Sequence, residues 1–347
     1  MPDYQEVFNN IQRKYRKDYL KLVKELEDDF QEINNRLMRR IERIALEYAS
    51  NDGTIPNANL KKVKTELNAL TDWFTSELKD LLDENIDESA KIAIKGQDTA
   101  TEYYVRGLMK EVQKQDKALL KKALTDGDDG VLLMQKYGEG LIDDIREFVW
   151  KYRWDDGFRL SDRIWKLNGT MKKNLQTVIE QSVNQGKSAV EFSRAVEDYL
   201  DRPGKPWRTD IKPGLDVGDK VKTSDGRVYT IKQPRATVKY NALRLARTET
   251  NQAYHKAQKV SDKESDVVKG TKWNLSASHP QYPPSYMYNG YNEICDYRAK
   301  ADHHGLGPGV YPAGETPWDH PNGLCSLLSV LKQKDELINT LKEKYNQ

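Results

Sequence analysis

The chain has 347 residues, of which 32% are charged and 37% are hydrophobic. This length allows roughly two or three domains with a buried core, whereas the modest apolar content indicates elongated helical parts with much exposed surface. The 56 basic and 54 acidic residues nearly balance, so the overall charge excludes a strongly basic nucleic-acid or membrane binder. No apolar run reaches the length of about 18 residues that a membrane helix needs, and the N-terminus lacks the apolar core of a signal peptide. We therefore expect a protein that is made in the cytoplasm and has no membrane partner.

Two long helices are predicted in the first part of the chain. Apolar residues recur at steps of three and four over residues 4–48 and again over residues 60–82. The helical pattern then continues to about residue 150, with expected breaks at Gly96 and at residues 125–130. We interpret residues 1–150 as an elongated helical region that packs on another surface. The same pattern fits the solvated edge of a helical bundle, so it names no partner.

A compact helical domain is predicted to begin near residue 151. Ser161 is expected to cap a helix that ends at Gly169. The next helix is expected to close at Gly186, and Ser188 to begin another. These short, regularly interrupted helices differ from the long helices that precede them, so we place a domain boundary between residues 150 and 151.

A basic β-hairpin is predicted at residues 205–235, where apolar and polar residues alternate around Asp225-Gly226. Residues 202–247 hold 12 basic and 4 acidic side chains, so this segment is positive and the remainder of the chain is negative. Such a charge can attract DNA, but an inserted and solvated hairpin fits the pattern equally well. The basic residues that would contact double-stranded DNA are Lys220, Lys222, Arg227, Lys232 and Arg235.

A strong helical segment, KYNALRLARTETNQAYHKAQ, follows the hairpin. Its alanines recur at close-packing spacing, and Arg247 and Glu249 lie in its middle. Because Arg247, Thr250 and Tyr254 lie on neighbouring turns, the guanidinium can bind carboxylate or carbonyl groups of loops that pack over the helix. We expect Arg247 and Glu249 to support the loop-rich unit that comes next.

The loop-rich unit covers residues 271–330 and holds both cysteines and most of the prolines. No CxxC or HxxxH pair places two metal ligands on one turn, so the spacing alone does not build a zinc site. Three interpretations stay open: a packed unit with free thiols, a metal or disulfide staple, and a catalytic Cys–His pair. The side chains with the donor atoms that a zinc site needs are Cys295, Cys325, His303, His304 and His320.

Several segments of the chain, in this order, resemble one known family. They read DGFRLSDRIW, QGKSA, LARTETNQAYHKA, KWNLSASHP, ICDYRAKADHHGLGPGVYP and HPNGLCSLLSV. Over about residues 156–330 the chain resembles the phage minor head proteins, whose head-morphogenesis domain is similar to the F protein of phage Mu. The closing motif of that family usually reads His-Pro-x-Cys-x-Cys. Here Gly323 stands at the place of its first cysteine.

The resemblance implies a set of residues that organise the terminal unit. The structural motif residues are Arg247, Glu249, Trp273, Cys295, Asp296, His320, Pro321 and Cys325. If the unit holds a metal, we expect a structural zinc ion bound by Cys295, His320 and Cys325, and otherwise no cofactor.

The resemblance also implies a function without catalysis. We expect a minor capsid protein of the virion head that acts at or near the portal vertex in procapsid assembly and in packaging or delivery of the genome. Its expected partners are the portal protein, the major capsid or scaffold protein, and double-stranded DNA. The alternatives are a DNA-binding module and a metal-dependent hydrolase or nuclease built on the Cys/His unit. A nuclease would need clustered carboxylates, for which Asp296, Asp302 and Asp319 are the candidates.

Together these observations predict a mainly α-helical chain with a small α+β part near the C-terminus. The expected regions are an elongated helical region at 1–150, a head-morphogenesis-like domain at 151–330 and a C-terminal helix at 331–347. The middle domain would contain the inserted hairpin and the loop-rich unit.

Overall fold

The computed structural model describes residues 3–154, 157–200, 220–222, 228–230, 238–276, 294–319 and 323–345. Within these residues the chain forms ten α-helices, one β-hairpin and a three-stranded antiparallel sheet in the C-terminal part. The predicted fold class, mainly α with a small α+β C-terminal part, is confirmed.

The first two helices are long. Helix α1 covers Tyr4–Glu47 and helix α2 covers Leu60–Leu108, with a short 3₁₀ turn at Asn57–Asn59 before α2. The predicted helix end near Leu82 and the predicted break at Gly96 are therefore wrong. A Cβ atom at position 96 would lie 2.9 Å from the Cβ of Tyr15, so the glycine lets α1 approach the α2 backbone. Close packing, not a turn, explains this glycine.

Three shorter helices follow: α3 at Lys114–Thr125, α4 at Leu133–Tyr137 and α5 at Gly140–Lys151. The predicted break at residues 125–130 is confirmed, because α3 ends at Thr125, the first residue of that stretch. The Asp98 carboxylate of α2 accepts hydrogen bonds from the first two backbone N–H groups of α4, at 2.8 and 2.9 Å. This bond pair satisfies helix-end donors that would otherwise have no partner.

Helix α6 covers Leu160–Asn184 and helix α7 covers Ala189–Leu200. Ser188 begins α7 as predicted, since its Oγ accepts from the Glu191 N–H at 3.2 Å and the Glu191 carboxylate accepts from the Ser188 N–H at 2.8 Å. The predicted helix end at Gly169 is wrong, because α6 runs through it. One glycine costs a helix only about 1 kcal/mol, and buried side chains on both sides of it offset that cost.

The start of α6 also differs from the prediction. Ser161 lies inside the helix, so the prediction that it caps the helix is wrong. Asp162 in the first turn accepts a hydrogen bond at 2.9 Å from the N–H of Arg159, the residue just before the helix.

The predicted hairpin is present as β1 at Lys220–Lys222 and β2 at Val228–Thr230, which pair antiparallel with Val221 opposite Tyr229. Helix α8 follows at Val238–Glu264 and corresponds to the predicted strong helix. The turn at Asp225-Gly226 lies outside the described residues.

The C-terminal part contains β3 at Val268–Asn274, α9 at Ile294–Lys300, β4 at Val310–Pro312, β5 at Ser326–Leu331 and α10 at Lys334–Tyr345. Strand β3 lies between β4 and β5, and both pairings are antiparallel. The stretch predicted to be loop-rich therefore has a three-stranded sheet at its centre, and the sequence pattern did not predict the pairing of its strands.

The chain divides into two compact units, neither of which is continuous in sequence. The first unit comprises Met1–Glu25, Asp83–Tyr152 and Arg247–Gln347, and the second comprises Leu26–Leu82 and Arg153–Ala246. Both units combine stretches from different predicted regions, so the predicted domain boundaries stay a prediction. No helix in the described part of the chain is long and apolar enough to cross a bilayer.

Candidate functional site

Three of the residues singled out from the sequence meet in the first unit. Trp273 of β3, Cys295 of α9 and Cys325 before β5 belong to one small apolar cluster, together with Tyr311 and Leu327. Trp273 and Cys295 are almost fully buried because strand β3 is central in the sheet and α9 covers it. The cluster is the interior of the unit that the sequence analysis described as loop-rich.

Asp319 lies close to the two cysteines. Cys295, Asp319 and Cys325 are all buried, and one donor atom from each lies within 4.8 Å of the other two. The Cys295 Sγ lies 4.0 Å from the Asp319 Oδ1. The two cysteines are not joined by a disulfide. The pKa of Cys325 is lowered, chiefly because the Cys295 thiol hydrogen-bonds to its sulfur.

The glycine at position 323 leaves the space that the Asp319 carboxylate occupies. A Cβ atom at Gly323 would lie 2.2 Å from the Asp319 carboxylate atoms, which no side chain could tolerate. The other carboxylate oxygen of Asp319 accepts hydrogen bonds from the Cys325 N–H at 3.2 Å and from the Asn251 side chain at 3.3 Å. The carboxylate is thus held by groups from α8 and from the segment before β5.

The loop that carries Asp319 is fixed from two sides. Lys259 of α8 donates to the Thr316 carbonyl and lies 4.0 Å from the centre of the Trp318 ring. Arg298 of α9 donates to the Trp318 carbonyl at 2.8 Å. Burial lowers the pKa of Lys259 to about 8, and neighbouring Lys256 adds to that shift. These contacts hold the segment that leads to Asp319 in place.

The first helix reaches the same cluster. Arg16 of α1 donates to the backbone carbonyls of Leu324 and Cys325, at 2.9 and 3.2 Å, and its guanidinium lies over the Tyr19 and Tyr254 rings. His255 of α8 contacts the Cys325 carbonyl at 2.9 Å through Nε2. Burial lowers the pKa of His255 to about 4, so the imidazole is neutral at physiological pH.

A second buried polar cluster lies further along α8. The Asp262 carboxylate accepts hydrogen bonds from Ser329 of β5 and Thr271 of β3, both at 2.6 Å, and from Gln258 at 3.0 Å. Gln12 of α1 donates to the Ser329 hydroxyl at 2.7 Å. Burial raises the pKa of Asp262 to about 6, although the three donors oppose that shift. This network ties two strands and two helices together by hydrogen bonds.

The remaining predicted motif residues occupy different places. Asp296 is buried but pairs with Lys300 at 2.5 Å, so it does not belong to the group around Asp319. Glu249 is buried and Arg247 is half-buried on α8, and their supporting role stays a prediction. His320 and Pro321 lie outside the described residues.

The candidate DNA contacts are only partly described. Lys220 and Lys222 lie on β1. Arg227, Lys232 and Arg235 lie outside the described residues. Contact with DNA therefore stays a prediction for all five.

The other metal and carboxylate candidates do not join the cluster. His303 packs against the Tyr297 and Tyr311 rings, and His304 packs against Tyr311. Asp302 is exposed. Within the described residues, the one group of three potential metal ligands is Cys295, Asp319 and Cys325, so the three carboxylates named for a nuclease are not brought together there.

Sequence reasoning missed the polar side chains that surround the cluster. Their signal was present, because the polar residues of α8 recur at steps of four, three and four, which places them on one helix face. An ordinary amphipathic interpretation assigns a polar helix face to solvent, but this face is buried. The residues of this stripe are Asn251, His255, Gln258 and Asp262.

Comparisons with known proteins add no relative: no family model, curated protein or solved structure matches this chain. The resemblance to phage minor head proteins rests on the segments quoted above, and the function that it implies is a proposal.

Proposed function

We propose that this chain is a minor head protein of a phage. It belongs to the virion head, and to the host cytoplasm during assembly. It acts at or near the portal vertex in procapsid assembly and in packaging or delivery of the genome. Its task is to bind the portal protein and the major capsid or scaffold protein, with double-stranded DNA as a further partner.

The observation that carries this proposal is the meeting of the family-like segments. Four of the six segments meet: Trp273, Cys295 and Cys325 belong to one buried cluster, and Asn251 donates a hydrogen bond to Asp319 beside it. A chance likeness of separate short segments gives no reason for their side chains to meet. Their meeting supports a common domain, and the family to which those segments point has a structural role in the head.

An exposed aromatic side chain supports a protein partner. Trp165 on α6 is 79% exposed, and Phe158 just before α6 is 41% exposed. Single exposed apolar residues are common, but tryptophan is one of the residues enriched among the side chains that dominate binding energy. We assign Trp165 as the anchor for a protein partner in the head.

The test is co-purification of the full chain with the portal protein and the major capsid protein of the same source. The experiment is run at low and high salt and after nuclease treatment. We expect association with the portal that survives both, because contacts centred on an apolar side chain are weakly salt-dependent.

The matched variants are Trp165→Ala and Tyr103→Ala, which remove aromatic side chains that are 79% and 46% exposed. Trp165→Ala should weaken portal binding about tenfold or more, whereas Tyr103→Ala should leave it unchanged. Equal binding by both variants would remove Trp165 from the interface, and no association by the wild-type chain would overturn the proposed function.

DNA binding is the second candidate, and the basic segment at residues 202–247 is the observation that favours it. If it binds DNA through phosphate contacts, affinity should fall steeply between about 50 and 200 mM salt. Replacing its five candidate residues by glutamine should abolish retention of DNA. The control variant removes the same number of exposed lysines elsewhere: Lys17, Lys24, Lys61, Lys62 and Lys117. Similar losses in both variants would indicate a response to net charge and not a DNA site.

A further inference from the structure

We propose that Cys295, Asp319 and Cys325 supply three of the four ligands of one zinc ion, which fastens α9 to the segment that leads into β5. The three side chains come from different parts of the C-terminal region and converge with one donor atom each inside a 4.8 Å limit. In a tetrahedral zinc site, sulfur and oxygen donors lie about 3.5–3.8 Å apart. Side-chain shifts of about 1 Å or less would therefore bring these donors onto a metal ion.

The chemistry of the donor set selects zinc. Two thiolates and one carboxylate suit a borderline-soft ion, whereas magnesium and calcium prefer oxygen ligands throughout. The three residues carry three negative charges when bound, and a divalent cation offsets most of that charge in a buried place.

The surroundings hold Asp319 in the orientation that a ligand needs. Both hydrogen bonds from Asn251 and from the Cys325 N–H go to Oδ2, while Oδ1 is the oxygen near Cys295. Outer partners that fix a ligating carboxylate in this way are characteristic of metal sites. Gly323 keeps the space beside the carboxylate open, since a Cβ atom there would overlap it.

The burial of the site assigns the ion a structural role. Cys295 is 0% exposed, Cys325 is 2% exposed and Asp319 is 5% exposed, so the three donor side chains are shielded from solvent. This donor set differs from the sequence-based set, because Asp319 takes the part that was assigned to His320. The inference does not depend on a role in the phage head, and zinc content can be measured without any head protein.

The experiment uses the full chain, purified without an affinity tag under reducing conditions. Zinc is measured by mass spectrometry of the elements, and reactive thiols are counted with and without a chelator. We expect about one zinc per chain and two thiols that react only after chelation. Cobalt added to chelated protein should give tetrahedral ligand-field bands and thiolate-to-cobalt charge-transfer absorption.

Asp319→Asn is the most informative variant. The asparagine can keep an oxygen for the hydrogen bonds from Asn251 and the Cys325 N–H, but it removes the anionic donor. We expect zinc affinity to fall at least tenfold while the circular dichroism of the chain stays unchanged. The control is Asp302→Asn, which removes an exposed carboxylate from the same region and should retain full zinc affinity. Cys295→Ser should abolish the charge-transfer band or halve it.

Several results would overturn the proposal. Zinc-free wild-type protein with two thiols that react, either in the folded state or only after unfolding, would mean a hydrogen-bonded thiol pair. Zinc-free protein without reactive thiols even after unfolding would mean a disulfide. Equal zinc loss in Asp302→Asn and Asp319→Asn would mean surface binding. If Cys295→Ser fails to fold, cobalt titration of chelated wild-type and Asp319→Asn protein still decides between these outcomes.

Discussion

The second unit buries mainly apolar side chains, whereas the first unit buries a row of polar and charged ones along α8. Within the described residues, the polar side chains buried in the second unit are Asn34, Thr71, Asn168 and Ser182. The first unit buries, among others, Arg16, Asp262 and Asp319, each with hydrogen-bond partners from other elements. Apolar packing tolerates imperfect geometry, but a buried polar group is costly unless its partners are in place. The first unit should therefore depend on specific pairs and on pH, and the second on filled volume.

The largest expected effect tests volume in the second unit. Phe74 is 1% exposed, and its ring packs edge-on against Phe30 with the centroids 6.0 Å apart. Phe74→Ala should lower the free energy of unfolding by about 3–5 kcal/mol, since it removes buried apolar surface and leaves a cavity. Urea unfolding measures the loss, and hydrogen exchange should place it in peptides of the second unit.

Trp165→Ala is the control for that change, because it truncates a larger aromatic side chain that is 79% exposed in the same unit. We expect an effect within about 0.5 kcal/mol. A comparable loss in both variants would contradict the view that buried volume stabilises the second unit.

The next effect tests the dependence of the first unit on pH. Burial raises the pKa of Asp262 from 3.8 to about 6, so the folded state binds a proton more tightly than the unfolded state. The contribution of Asp262 to stability is then greatest below pH 4 and is lost as the pH rises through 6. Asp262→Asn removes this titration and can keep hydrogen bonds to Ser329, Thr271 and Gln258. Relative to wild type, the variant should gain about 2–3 kcal/mol between pH 4 and pH 7.

The measurement is urea unfolding of both proteins across this pH range. The neighbouring His255 has a pKa lowered to about 4, so its contribution to stability changes with the opposite sign. It is present in both proteins and cancels in the difference. The exposed Asp302→Asn variant should show no such trend, and a pH-independent difference between Asp262→Asn and wild type would refute the expected titration.

The same contrast explains how much the sequence could predict. The apolar stripes of α1, α2 and α7 and the capping residue Ser188 follow local rules, so the presence of these helices was predictable, whereas the end of α2 was not. Gly96 and Gly169 were misread because a glycine can serve close packing or simply be tolerated inside a helix, and local sequence does not distinguish these from a helix end.

The site was predictable only in part. Both cysteines and Trp273 were identified from composition and family likeness, but the partners of the buried polar stripe were not. Gln12 and Ser329 are 317 residues apart, and their hydrogen bond depends on a fold that no local pattern specifies. From the sequence alone, Asp319 was one of three candidate carboxylates, because nothing in the spacing placed it beside the cysteines.

The smallest expected effect tests where the polar interior begins along α8. Arg247 is the first residue of the first unit on this helix, and it is half-buried next to buried Thr248 and Glu249. If Arg247 supports the terminal unit, Arg247→Ala should lower the free energy of unfolding by more than about 1 kcal/mol and leave DNA binding intact. Arg247→Lys should recover only part of the loss, because an ammonium group cannot reproduce two parallel hydrogen bonds of a guanidinium. Arg244→Ala, which removes an exposed arginine one turn earlier, should change stability by less than about 0.5 kcal/mol. Loss of DNA binding without loss of stability in Arg247→Ala would instead make Arg247 part of a binding surface, and the polar interior would then begin further along the helix.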